Sequence, residues 1–161
     1  MKAVTVKQIR EELNHLSQKE LIELCLKLSR FKKDNKELLT YLLFEANDEE
    51  RYIQGIKEYM NEQFGLINTR NYYYIRKSVR KILSQVKKLI RYSKKKETEV
   101  ELLLHFCWNL QELSPSISGS TRLVNVYERQ LAMAEKAMNA LHEDLQYDYR
   151  LELENFRSYQ K

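Results

Sequence analysis

Asn68-Thr-Arg-Asn-Tyr-Tyr-Tyr-Ile-Arg-Lys-Ser-Val-Arg-Lys-Ile-Leu-Ser-Gln-Val-Lys-Lys-Leu-Ile-Arg-Tyr-Ser93 is the stretch that decides the fold class. Tyr72, Ile75, Val79, Ile82, Val86 and Leu89 recur at alternating spacings of three and four, the period of a helix that buries one narrow seam. With neither Gly nor Pro to interrupt it, the segment predicts a continuous helix about 39 Å long at 1.5 Å per residue.

The same stretch concentrates the charge. Residues 63–96 hold eleven Lys and Arg and no Asp or Glu, whereas residues 1–62 hold eleven and twelve, and residues 97–161 hold six and eleven. The overall net charge of +5 hides this asymmetry. On a wheel of 100° per residue, Arg76, Arg80, Lys87, Arg91 and Lys94 fall together on the side away from the seam, with Lys77, Lys81, Lys88 and Lys95 next to them. Tyr73 lies inside this ridge, and Tyr74, Gln85 and Tyr92 run along its edge. Ammonium and guanidinium groups neutralise phosphates and tyrosine faces stack unpaired bases, so a cationic rod with interleaved aromatics suits an anionic partner. The alternative is neutralisation within the fold or across a dimer by Glu143, Asp144, Asp148, Glu152 and Glu154.

Working outward, the remainder also reads as helix. The chain of 161 residues has 3 Gly and 1 Pro, where average usage would give about eleven and eight. That scarcity argues against a β-sandwich, a Rossmann unit and a phosphate-binding loop. The length suits one domain, and residues 1–161 are expected to form it. Helix starts are marked by a capping residue followed three positions later by Glu or Gln: Thr5/Gln8, Ser17/Glu20, Asp34/Glu37, Asn47/Glu50 and Thr98/Glu101. Leu16 and Leu21 add a hydrophobic staple around the Ser17 box. Gly65 is expected to stop the helix before it in a left-handed turn. The similar words Gln18-Lys-Glu-Leu-Ile and Asn35-Lys-Glu-Leu-Leu admit a helical-hairpin repeat.

The stretch Leu16-Ser-Gln-Lys-Glu-Leu-Ile-Glu-Leu24, followed by the long basic helix, resembles small all-helical bacterial proteins of unknown function. The resemblance covers about the first 45 residues. It implies an all-helical fold and carries over no activity, ligand or site.

Beyond the basic helix, residues 97–113 carry apolar side chains over so wide an arc that they predict the central helix of a bundle. Residues 114–121, with Pro115 and Gly119, read as the one mobile loop. From Val124 through Tyr127, Leu131, Ala134, Met138, Leu141, Leu145 and Tyr149 the seam continues, extendable through Leu153 and Phe156. Leu151-Glu-Leu-Glu alternates with period two but lacks a partner strand, so helix or a frayed tail over 157–161 is the expectation. A helix over 121–156 would outrun the body of the domain and could leave apolar surface for a homodimer.

Catalytic and metal motifs are not recognisable. Cys25 and Cys107 lie in apolar periodic runs and are expected in the core as reduced thiols. His15, His105 and His142 are scattered; Gln146 stands where a zincin helix begun at His142 would need a second His. His105 follows Glu101 by four, which predicts one hydrogen-bonded pair. Ser114, Ser116, Ser118, Ser120 and Thr121 read as loop solvation.

The fold expected is all-α, six or seven antiparallel helices in an irregular bundle or a short helical-hairpin solenoid. The function expected is a non-enzymatic interaction or scaffolding module with a protein partner or itself, without cofactor or metal. The alternative is nucleic-acid binding that does not read sequence, through the basic face of residues 68–93. The opening Met-Lys-Ala-Val-Thr-Val-Lys-Gln lacks a signal-length apolar run and no window reaches a membrane span's length, so the expected location is cytoplasmic.

Overall fold

The computed structural model describes residues 1–158. It is all-α, with eight helices and, among the described residues, no strand: α1 Val6–Leu13, α2 Gln18–Phe31, α3 Lys33–Thr40, α4 Glu49–Gly65, α5 Tyr72–Ser93, α6 Lys96–Gln111, α7 Thr121–Met138 and α8 Glu143–Ser158. A π-helical turn, Tyr41–Glu45, follows α3, and a 3-10 turn, Ile117–Gly119, precedes α7. The count exceeds the expected six or seven because the helix predicted over 121–156 is two helices. No helix is long and apolar enough to cross a membrane among the described residues. Arg157 and Ser158 belong to α8, while the rest of the tail expected to fray, 159–161, lies outside the described residues.

The chain forms two compact units, Met1–Phe44 and a second beginning at Glu45. The first is held by local chemistry. Thr5 and Ser17 complete the predicted capping boxes with Gln8 and Glu20, and Asn35 Nδ2 donates to Leu28 O at 2.9 Å, tying α2 to α3. No residue of α1, α2 or α3 is fully buried. Cys25 is exposed and lines an apolar groove with Leu28, Leu38, Leu39 and Leu42, which corrects its expected place in the core. The Asp34 box also fails, because α3 starts earlier, at Lys33, and its cap residue Lys32 has no side-chain acceptor to offer.

The second unit is a bundle built on α6. Val100, Leu102, Leu103, Leu104, Phe106, Cys107 and Leu110 are all fully enclosed, and each large aliphatic among them withdraws from water at a gain of about 1.5–3 kcal/mol. Helices α4, α5, α7 and α8 all pack on α6. A solenoid, in which each hairpin meets only its sequence neighbours, does not describe this arrangement. Phe64 and Phe106 meet edge to face at 5.5 Å between centroids.

Three boundaries differ from the sequence reading. Asp48, not Asn47, caps α4 by accepting from Arg51 N. Gly65 is the last residue of α4, and among the described residues no glycine has positive φ. Thr98 is buried inside α6, where its hydroxyl donates to Glu49 Oε1 at 2.6 Å instead of capping a helix.

Candidate anion-binding surface

The apolar seam of α5 positions the candidate surface. Ile75, Val79, Ile82, Val86 and Ile90 are buried, and β-branched side chains at all five of these core positions hold the helix by one face in restricted rotamers. Asn71 caps its start by accepting from Tyr74 N at 3.2 Å. The helix therefore begins at Tyr72, four residues later than the sequence pattern suggested. At its end Lys94 takes the left-handed conformation, φ 59°, and donates its backbone N–H to Ile90 O at 3.0 Å. Two residues then separate α5 from α6.

On the opposite side of α5, Tyr73, Lys77, Arg80, Lys81 and Arg91 are exposed and Arg76, Lys87 and Lys88 are half-buried, and beyond its end Lys94 and Lys95 are exposed. Tyr73 and Tyr74 meet edge to face, at 5.4 Å between centroids. Among the described residues, Arg76, Lys77, Arg80, Lys81, Arg91 and Lys94 are paired with no carboxylate. Lys95 is engaged, 2.9 Å from Glu49 Oε2. Lys87 leans on α7, its Nζ 3.4 Å from Met133 Sδ, and burial lowers its pKa against the raising influence of Glu99.

The acidic C-terminal segment is held by other elements. Helix α8 packs on α6 and α7, Tyr149 Oη donates to Glu101 Oε1 at 3.3 Å, and Arg157 pairs with Glu135 at 2.7 Å. The elbow at 139–142 that separates α8 from α7 is secured by Gln146 Nε2, which donates to Leu141 O at 2.7 Å. Leu123, Tyr127, Leu131, Ala134 and Met138 of α7, and Leu153 and Phe156 of α8, are buried within the unit. The long unbroken seam that suggested a homodimer through 121–156 is thus absent.

Structure adds residues to the surface that the sequence reading left out. Between α5 and α7 lies a cleft of about 230 Å³ lined by Arg76, Arg80, Arg122 and Arg129, with Asn125 beside them and Val79, Leu123 and Val126 as its floor. No carboxylate lines it. Arg122 and Arg129 escaped notice because they belong to a net-acidic segment; their spacing of seven, which puts them on one face of a helix, was the available signal.

A second polar cavity, of about 500 Å³, mixes Glu49, Glu50, Glu97 and Glu101 with Lys57 and Lys95. Both of its lysines are paired: Lys57 Nζ is 2.6 Å from Glu101 Oε2 and Lys95 Nζ 2.9 Å from Glu49 Oε2, and Ser93 and Thr98 both donate to Glu49. Glu101 is therefore taken, and His105 pairs instead with Asn61, Nε2 to Oδ1 at 2.7 Å, stacked on Trp108 at 5.5 Å. Burial, then the Lys57 charge, holds the His105 pKa below its ordinary value. Cys107 sits in the core as expected, its thiol pushed up by burial. No group of three or more His, Cys, Asp or Glu able to hold a metal occurs among the described residues.

No protein-family model, no curated protein and no solved structure matches this chain.

Proposed function

We propose that this is a binding protein whose α5 ridge tracks the phosphate backbone of a nucleic acid without reading its sequence. One observation carries the reading: five cations along a single helix, Arg76, Lys77, Arg80, Lys81 and Arg91, and a sixth at its C-cap, Lys94, are paired with no carboxylate among the described residues. Cations left at such density repel one another, and a polyanion relieves that repulsion while releasing its own counterions. A helix of 22 residues is about 33 Å long, the rise of about ten base pairs.

The test is fluorescence anisotropy of a labelled single strand and a labelled duplex at about 50 and 200 mM salt. For six phosphate contacts the affinity falls about a thousandfold between those salts. Lys77→Glu/Lys81→Glu/Arg91→Glu, all exposed, weakens binding to every sequence alike and leaves the circular dichroism unchanged. Absence of binding below about 100 μM, a free energy weaker than roughly 5.5 kcal/mol, at the lower salt refutes the ridge reading.

Protein interaction is the second reading, and a different observation favours it. The first unit leaves Ile22, Leu26, Leu28, Phe31, Leu42, Leu43 and Phe44 exposed, with Phe31 at 77%. Apolar side chains gathered in this number on short helices suit a surface that another protein covers.

A further inference from the structure

We propose that the cleft between α5 and α7 is a discrete pocket for a terminal phosphate or pyrophosphate group, distinct in stoichiometry from the linear ridge. Along the ridge each cation can meet a separate phosphodiester, which carries one negative charge. In the cleft Arg76, Arg80, Arg122 and Arg129 line one cavity, so four positive charges address one small volume. A single diester cannot balance them. A phosphomonoester carries about 1.5 to 2 negative charges near neutrality and three acceptor oxygens, and a pyrophosphate more.

Size and chemistry agree with that choice. The cleft's 230 Å³ is the room of roughly eight liquid waters, below the roughly 300 Å³ where pockets for larger ligands begin. It has room for a phosphate or two. Guanidinium is the group suited to it, since its planar fork donates two parallel hydrogen bonds to phosphate oxygens. The two walls come from separate helices, each packed on α6, so the backbone positions that carry the arginines are set before any ligand arrives.

The phosphate could be free or could end a polynucleotide; only the second source rests on the ridge reading. Isothermal titration with inorganic pyrophosphate tests the pocket itself, on the whole protein and on Arg122→Ala/Arg129→Ala. Binding is expected in the wild type and weaker by at least about tenfold in the variant. If the double variant loses its helical signal, Arg129→Gln alone is used, with the same direction expected. No heat of binding in the wild type, or equal binding in the variants, overturns the pocket.

A second arm compares 3′-labelled oligonucleotides ending in a 5′-phosphate or a 5′-hydroxyl. A preference of about tenfold for the phosphorylated end, lost in Arg122→Ala/Arg129→Ala and kept in Lys77→Glu/Lys81→Glu/Arg91→Glu, assigns the pocket to polynucleotide ends. Pyrophosphate binding with no affinity for either oligonucleotide keeps the pocket, assigns it to small phosphates and removes the ridge reading.

Discussion

A methyl group added at Gly119 would lie 2.7 Å from Tyr72 Cζ and closer still to the phenol oxygen. The Tyr72 hydroxyl donates to Ser116 O at 2.7 Å, so the 114–121 segment, read from sequence as mobile, is tied to the start of α5. Gly119→Ala must expel the ring and lose that bond, and a destabilisation of about 1–3 kcal/mol is expected in urea unfolding. Tyr72→Ala removes the obstacle, so adding Gly119→Ala to it should cost far less; additive effects would refute the account. At this scale the sequence is legible where chemistry is local. The Ser17 and Thr5 boxes form as read because their partners lie three residues away. His105 was misassigned because Glu101 answers to Lys57 and Tyr149, which reach it from α4 and α8.

Periodicity found nearly every helix, and its failure at 139–142 has a cause. The three-four spacing passes undisturbed through the elbow, because Leu141 and Leu145 keep step with Met138 although the backbone between them is not helical. What α8 gains by turning there is a set of contacts with α6, and its Glu152 carries a cost. Partial burial raises the Glu152 carboxyl pKa, Glu101 of α6 raises it further, and Lys57 of α4 opposes both. A carboxyl raised in the folded state adds stability that is complete below the unfolded value near pH 4.3 and is lost as the pH rises through the folded value. His105, lowered in the fold, works in the opposite sense and loses its contribution as the pH falls below about 6.5. Glu152→Gln should therefore raise the thermal midpoint at pH 7 and flatten its decline between about pH 4.3 and neutrality. A midpoint at pH 7 equal to or below that of the wild type would contradict this.

Across the whole molecule the two units differ in what holds them. Helix α6 is walled in by four others, while α1 to α3 contribute no fully buried residue. Two of those three helices have eight residues, too few for stability without tertiary packing. Amide exchange should therefore be several orders of magnitude faster in α1 to α3 than in α6, whose opening requires global unfolding at about 5–15 kcal/mol. Equal protection would show that the first unit is covered in solution, and protection that grows with protein concentration would identify the cover as a second copy. None of this division was legible in the sequence, since leucines at helical spacing look alike whether or not anything packs on them.

The β-branched seam under α5 has a consequence for the kind of anion it can hold. Charges fixed on a stiff rod cannot gather around one point, so a compact ion engages only a few of them at once. A flexible chain of linked anions engages them in succession, each attachment made intramolecular by the one before. Retention then depends on contour length: it climbs with each added link until the chain spans the roughly 33 Å of the rod, and levels off beyond. On the proposed reading, the rod would therefore separate partners by length and not by lettering.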